Sequence, residues 1–178
     1  FRSVATWLSG APLRIGPARP AAREQSWLAY NRPAKAAAAH VVDRNCELVA
    51  SLDVPRTNPA FDMPHWPVSR MRMQQWLATL RLPNRPVILN PGAGWASKRW
   101  PIDRFAATAR GLQRRLGQPC VIVWGGAAEQ ADADRIAADS FGAAIVAPPT
   151  SLQDLGELCR LSRLFISADT GPLHLAAA

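Results

Sequence analysis

Short apolar runs alternate with longer amphipathic segments from Val87 to the end of the chain. Runs of four apolar residues predict buried strands, and apolar residues at every third or fourth position predict helices. Such alternation is typical of an α/β fold, in which crossover helices join parallel strands. The predicted strands are 87–90, 121–124, 143–146 and 164–167, and the predicted helices begin at or near Pro101, Glu129, Ser151 and Pro172.

The helix after residue 150 has the clearest start. Ser151 is a good N-cap, and Asp154, three residues on, can complete a capping box. The apolar stripe of this helix is predicted at Leu152, Leu155, Leu158 and Leu161.

The first half of the chain is irregular and rich in proline. We predict a helix over residues 3–8, a short strand over 13–16 and a helix over 40–52. Four prolines within residues 55–67 predict a linker. A further helix over 69–80 is expected to place Met73, Trp76, Leu77 and Leu80 inward.

Composition indicates a folded chain: of 178 residues, 48% are apolar and 19% are charged. No apolar run reaches the roughly 18 residues that span a bilayer. The chain starts at Phe1 and stops within a predicted helix, so we expect a fragment cut at both ends.

Three widely spaced cysteines form neither a metal motif nor a disulfide framework, and we expect buried thiols in a reducing compartment. They are Cys46, Cys120 and Cys159.

The net charge is +8 and is unevenly spread. Residues up to Pro86 include 12 basic and five acidic side chains, against nine and eight afterwards. A basic first half favours an anionic partner, although scattered arginines on solvated faces explain the same count. Only Lys35 and Lys98 are lysines.

Ligands of open parallel sheets bind at the carboxyl ends of the strands, so the loops after the strands are the candidate sites. In the first such loop, residues 90–101, Gly92 and Gly94 let the backbone approach a ligand, and Lys98 and Arg99 supply positive charge. This combination suits a diphosphate. A tight turn with a solvated basic pair is the alternative.

The second loop, residues 124–130, carries two glycines and then Glu129 at the start of a helix. A carboxylate in this place can accept both hydroxyls of a ribose, or it can simply complement the helix dipole.

The third loop follows the last strand. Asp169 could bind a sugar hydroxyl, the N–H groups of Thr170 and Gly171 could hold a phosphate, and His174 lies in the first helical turn. A capped helix without a ligand is the alternative. The triplet Asp-Thr-Gly also occurs in aspartic proteases, but the helices that flank every strand argue against that all-β class.

As a set, NPGA…KRWP, the GG…E loop and DTGPLHLAAA resemble the ADP-heptose:lipopolysaccharide heptosyltransferases, glycosyltransferase family 9. SVATWLSGAPLRIG and HVVDRNCELVASL extend the resemblance upstream. It implies a GT-B fold of two Rossmann-like lobes. Residues 1–84 would hold the end of the acceptor-side lobe and a proline-rich linker, and residues 85–178 an incomplete nucleotide-sugar-binding lobe.

The resemblance implies an inverting transfer of heptose from ADP-heptose to a lipopolysaccharide core acceptor, with no metal or other cofactor. Lys98 would stabilise the leaving diphosphate, Glu129 would bind the ribose, and the turn 147–150 would lie beside the base. Asp169, Thr170, Gly171 and His174 would hold the phosphates and the donor sugar. The general base of the family belongs to a segment that this chain lacks, so we expect the fragment to be inactive alone.

The basic first half would meet the anionic lipopolysaccharide precursor. We expect a cytoplasmic protein, with peripheral contact at the inner membrane left open. Two other functions remain as alternatives: a noncatalytic nucleotide-sugar-binding module, and a related transferase with a protein or another glycan as acceptor. No regular aromatic platform accompanies the basic residues, so we expect no nucleic-acid partner. The acceptor candidates are Arg14, Arg19, Arg23, Arg32 and Lys35.

Overall fold

A computed structural model describes residues 2–19, 25–55 and 60–178. The chain forms two compact units, Phe1–Phe61 and Asp62–Ala178. The lobe boundary expected between residues 84 and 85 stays a prediction.

The first unit contains two parallel strands that pair from Ile15 with Arg32 to Pro17 with Ala34. Gly16 is required on the first strand because a Cβ there would overlap the ring of Tyr30. The last helix of this unit has no fully buried residue, and Val41 and Val49 are exposed on it. The elements are α1 (Arg2–Leu8), β1 (Ile15–Pro17), a 3-10 turn (Ser26–Ala29), β2 (Arg32–Ala34) and α2 (Val41–Ala50).

The second unit follows the predicted alternation of strands and helices. It opens with a helix that has Pro67 in its first turn, where the missing N–H costs nothing. The strands are β3 (Val87–Asn90), β4 (Cys120–Ile122), β5 (Ala144–Val146) and β6 (Leu164–Ser167). The helices are α3 (Pro67–Thr79), α4 (Ile102–Leu116), α5 (Ala127–Asp139), α6 (Leu152–Leu161) and α7 (Gly171–Ala177).

The four strands β3–β6 form one parallel sheet in the order β5-β4-β3-β6. Successive strands β3, β4 and β5 run outward to one side, whereas β6 returns to the other side of β3. The order therefore reverses between β3 and β6. In an open α/β sheet, such a reversal opens a crevice at the carboxyl ends of the strands, where ligands bind.

Alternate residues of the buried strands supply two separate cores, one on each face of the sheet. Val87, Leu89 and Ile122 pack with Phe105 of α4 and Ile136 of α5. On the other face, the core includes Ile88, Val121, Met73, Leu155 and Leu158. The inward positions predicted for α3 are confirmed: Met73 is buried, and Trp76, Leu77 and Leu80 are partly buried against the same core.

Two buried carboxylates of α6 hold α3 and the segment before it. The Oδ1 of Asp154 accepts from Nε of Arg72 at 3.0 Å, while its Oδ2 completes the capping box with Ser151. Glu157 accepts from the Trp66 N–H and from Arg160, both at 2.9 Å. The capping box predicted at Ser151 and Asp154 is thus confirmed.

The pKa of Glu157 reflects opposing causes. Burial by itself raises it, but the hydrogen bonds from the Trp66 N–H, Arg70 and Arg160 outweigh burial and leave the pKa lowered. The carboxylate is fully buried and stays ionised because its donors replace water.

Several details differ from the sequence expectations; β4, for example, covers Cys120–Ile122 rather than residues 121–124. Leu152 is 75% exposed, because it stands at the first position of α6, whereas Leu155 and Leu158 are buried and Leu161 is partly buried. Pro101 is the N-cap of α4 rather than its first helical residue. Of the cysteines, Cys120 is buried as expected, whereas Cys46 and Cys159 are half-buried.

Candidate functional site: a cleft at the carboxyl edge of the sheet

The cleft occupies the point where the strand order reverses, between the loop after β3 and the loop after β6. Its volume is about 390 Å³. A 3-10 turn, Ala96–Lys98, lies within the first loop and brings a lysine to the cleft wall. The cleft is lined by Asn90, Gly92, Ala93, Gly94, Trp95, Lys98, Glu129, Asp169, Thr170, Gly171 and Pro172.

Lys98 and Asp169 form an ion pair across the cleft, with 2.5 Å between Nζ and Oδ2. Nε2 of His174 lies 3.5 Å from the other oxygen of the same carboxylate. The hydrogen bond and the charge of Lys98 lower the pKa of Asp169, with a smaller contribution from His174. Lys98, Asp169 and His174 thus form one cluster of interacting side chains that is open to solvent.

Glu129 lies in the first turn of α5, and its Oε2 accepts from the Gly125 N–H at 2.8 Å. The same carboxylate presses against the first loop, since a Cβ on Gly92 would lie 2.6 Å from Cδ of Glu129. Close approach is the reason for a glycine at position 92. The sequence pattern predicted such an approach to a ligand, and the structure adds an approach to Glu129.

A second, smaller cleft of about 160 Å³ adjoins the first. Asn90, Glu129 and Pro172 line both clefts, so Glu129 stands at their junction. Nε1 of Trp124 donates to the Ala147 carbonyl at 2.8 Å and thereby fixes the turn that follows β5. The remaining lining residues are Val123, Trp124, Gly125, Thr150, Ser151, Leu152 and Leu155.

Sequence reasoning missed the residue that ties the loops together. Asn90 is 3% exposed at the end of β3, directly opposite Ser167 in the sheet register. Its Nδ2 donates to Oγ of Ser167 at 2.9 Å and to Oγ1 of Thr170 at 3.3 Å. A polar residue that ends an otherwise apolar strand was the available clue, at both Asn90 and Ser167.

The structure brings the predicted site residues together. The larger cleft is lined by five of them: Lys98, Glu129, Asp169, Thr170 and Gly171. His174 contacts this group through Asp169. Their roles stay predictions. Among the described residues, no three His, Cys, Asp or Glu side chains are grouped as a metal site requires.

The basic residues of the first unit differ in their contacts and in their exposure to solvent. Nε of Arg14 donates to the Ala29 carbonyl, and the guanidinium of Arg19 lies 3.8 Å from the ring centroid of Trp27. Arg32 and Lys35 are exposed, and Arg23 lies outside the described residues. No helix within the described ranges is both long enough and apolar enough to cross a membrane.

Comparison with protein families gives one match across this chain. The model of "Glycosyltransferase family 9 (heptosyltransferase)" matches residues 2–178. Lipopolysaccharide heptosyltransferase 3 of Escherichia coli K12 is 30% identical over 142 residues, which are 78% of this chain and 41% of that protein. Lipopolysaccharide heptosyltransferase 1 of Pseudomonas aeruginosa PAO1 is 36% identical over 87 residues, which are 49% of this chain and 24% of that protein.

A solved structure shares the fold. Escherichia coli heptosyltransferase WaaC with ADP superimposes with a TM-score of 0.60 at 23% identity, covering 93% of this chain and 52% of that one. The likeness confirms the α/β fold of GT-B type predicted from the sequence. The chain spans less than half the length of these curated relatives and about half of the solved one.

Proposed function

Because the chain belongs to glycosyltransferase family 9, we propose that the whole protein transfers a heptose from ADP-heptose to a lipopolysaccharide core acceptor, with inversion at the anomeric carbon. The two clefts that meet at Glu129 are the observation that carries the proposal.

A nucleotide sugar has the same layout as these clefts. Its base is flat and largely apolar, its ribose carries two hydroxyls, and its diphosphate and sugar are polar and charged. The smaller cleft has Val123, Leu155 and the Trp124-anchored turn for the base. Glu129, at the junction, accepts from the ribose hydroxyls. The larger cleft, with Lys98 and Asp169, takes the diphosphate and the sugar.

Lys98 supports departure of the diphosphate. As the bond between the anomeric carbon and the phosphate oxygen breaks, its electron pair stays on that oxygen and negative charge grows there. The ammonium of Lys98 and the N–H groups of Thr170 and Gly171 stabilise this charge. Asp169 does not prevent this role, because an ammonium group has three donors and can serve a carboxylate and a phosphate together.

The acceptor hydroxyl forms the new bond on the opposite face of the sugar and loses its proton to a general base. No family motif for that base is matched by Asp43, Asp53 or Asp62. The resemblance places the base in a different segment of the family's N-terminal lobe. The acceptor is an anionic glycolipid at the cytoplasmic face of the inner membrane. Exposed Arg32 and Lys35 are its candidate contacts in the first unit.

Calorimetric titration of the full-length protein with ADP, UDP and GDP tests the donor site. We expect ADP to bind best, and we expect Lys98→Ala and Glu129→Ala each to weaken it about tenfold or more, the size of a charge-assisted hydrogen bond. Arg115→Ala on α4 and Asp134→Ala on α5 are matched controls, because both side chains are exposed and neither lines a cleft. A preference for UDP, or unchanged binding in both site variants, would contradict the proposal.

Turnover distinguishes a transferase from a binding module. With ADP-heptose and a heptose-free lipopolysaccharide core acceptor, the full-length protein should release ADP and lengthen the acceptor by one heptose. Binding of ADP without either product would favour the noncatalytic module. Transfer to a protein or to another glycan would favour the related transferase.

A further inference from the structure

Trp95 is an exposed indole at the edge of the larger cleft. It is 72% exposed and lines the cleft together with Lys98 and Asp169. Its neighbour Trp100 packs edge-on against Phe105, with ring centroids 5.0 Å apart. No ring contact of this kind is found for Trp95 among the described residues. An indole exposed at the edge of a polar cleft offers an aromatic face on which a ligand held in that cleft can pack.

The backbone couples this indole to the lysine of the cleft. Trp95 precedes the 3-10 turn that carries Lys98, and its carbonyl accepts from the Lys98 N–H at 3.0 Å. The backbone at Trp95 is extended, with φ −134° and ψ 139°. Trp95 and Lys98 thus stand at opposite ends of one short turn, and both line the larger cleft.

We propose that Trp95 is a stacking platform for the six-membered ring of a sugar. The inference rests on the proposed function, because it takes the diphosphate of the donor to be held at Lys98. A pyranose ring carries hydroxyls around its edge and C–H bonds on its faces. The C–H hydrogens carry partial positive charge and pack on the negative face of an indole. The hydroxyls reach the carboxylate of Asp169 and the imidazole of His174, which face the same cleft or join it.

A sugar fits this surface better than the other flat or apolar candidates. The nucleobase is assigned to the smaller cleft, which Trp95 does not line. A lipid surface would need an apolar patch, whereas Trp95 stands among Lys98, Asp169 and Asn90. The ring could belong to the donor or to the acceptor, and both sources offer the same chemistry.

The test compares Trp95→Ala, Trp95→Phe and a control in the full-length protein. Phe141→Ala is the control, since this ring is 86% exposed, follows the end of α5 and lines neither cleft. Four quantities are measured: the Kd for ADP, the Kd for ADP-heptose, the KM for the acceptor and the binding to anionic phospholipid vesicles. If the donor sugar stacks on Trp95, Trp95→Ala should weaken ADP-heptose binding about five- to tenfold and leave ADP binding within about twofold.

If the acceptor sugar stacks there, the same fold-change should appear in the acceptor KM, with both donor-side constants unchanged. In either case Trp95→Phe should recover most of the loss, because it keeps an aromatic face, and Phe141→Ala should change nothing. Binding of the sugar should also shift the tryptophan emission of the wild type more than that of Trp95→Phe, which keeps Trp124 in the smaller cleft.

Equal weakening of ADP and ADP-heptose by Trp95→Ala would overturn the inference, since the indole would then contact the nucleotide. Unchanged constants in all three arms would also overturn it. So would loss of binding to anionic phospholipid vesicles with the sugar arms unaffected, which would make Trp95 a membrane contact. Failure of the proposed function looks different: the wild type then fails to bind ADP, or Lys98→Ala leaves ADP binding unchanged.

Discussion

Nζ of Lys98 lies 2.5 Å from Oδ2 of Asp169, so these two charges offset each other before any ligand arrives. The lysine is 44% exposed and the aspartate 64%, and solvent screens the pair. A diphosphate can therefore recruit the ammonium group without extracting it from a buried site. The carboxylate meanwhile keeps the lysine turned into the cleft.

The pKa of Asp169 should depend on this pair. Lys98 holds that pKa below its ordinary value of 3.8, so Lys98→Met should raise it. In the wild type, the pair persists at neutral pH and is lost when acid protonates the carboxylate. NMR titration of the side-chain carboxyl carbon measures the change. Lys35→Met is the control, because Lys35 is the only other lysine; an equal shift there would contradict the assignment.

Gly92→Ala should displace Glu129. A Cβ at position 92 would lie 2.6 Å from Cδ of Glu129, and the carboxylate can withdraw only by leaving the Gly125 N–H. If Glu129 binds the ribose, ADP affinity should fall about tenfold or more. Gly94→Ala is a matched control in the same loop, since a Cβ there meets nothing within 4 Å. Equal affinities of the two variants, measured by calorimetry, would refute the role of this contact.

Asn90 and Ser167 should be energetically coupled. Their side chains are hydrogen-bonded at 2.9 Å from opposite residues of β3 and β6. Asn90→Ala should cost about 1–2 kcal/mol of unfolding free energy, because a buried hydrogen bond is lost. In a double-mutant cycle with Ser167→Ala, the coupling should be about 0.5–1.5 kcal/mol. Urea denaturation of the wild type, the two single variants and the double variant measures the coupling. Strict additivity of the two losses in unfolding free energy would argue against the bond.

Glu157 should make the protein sensitive to acid. Its pKa is lowered in the folded state, so its stabilisation is complete above its ordinary value of 4.5 and is lost as the pH falls through the lowered value. Glu157→Gln should cost about 1.5–3 kcal/mol at pH 7, because Arg70 and Arg160 lose an ionised partner.

The matched control for Glu157→Gln is Asp103→Asn on α4. Asp103 is 77% exposed and lies 3.9 Å from Arg104, so its loss should stay within about 0.5 kcal/mol. Urea denaturation at a series of pH values compares the two variants. The stability of Glu157→Gln should change less than that of the wild type below pH 4.5, and parallel profiles would contradict the assignment.

The alternation of strands and helices in the second unit was predictable, because each of its strands is a short apolar run bounded by turn residues. Val87–Asn90 and Leu164–Ser167 agree with the predicted bounds, and the capping box at Ser151 is local chemistry that sequence spacing reveals. The strand Arg32–Ala34 was not predicted, since its central Pro33 argues against a strand and its pairing with β1 cannot be read from the sequence.

Contacts between distant residues limited the prediction of the site. The loops of Lys98, Glu129 and Asp169 could be assigned to one edge of the sheet, because parallel strands end together. The bond between Asn90 and Ser167 could not be predicted, because it depends on β6 lying beside β3. Burial of Glu157 could not be predicted either, since its partners Trp66 and Arg70 lie 91 and 87 residues earlier in the chain.

The close contact between Glu129 and Gly92 restricts how the loop after β3 and the loop after β4 can be exchanged or diversified. A side chain gained at position 92 either displaces the Glu129 carboxylate or fits beside a shorter residue at position 129. Chimaeras that take only one of the two loops from another family member should therefore fold with a distorted cleft, whereas grafts that carry both should not. Libraries that randomise positions 92 and 129 together should recover functional combinations as linked pairs.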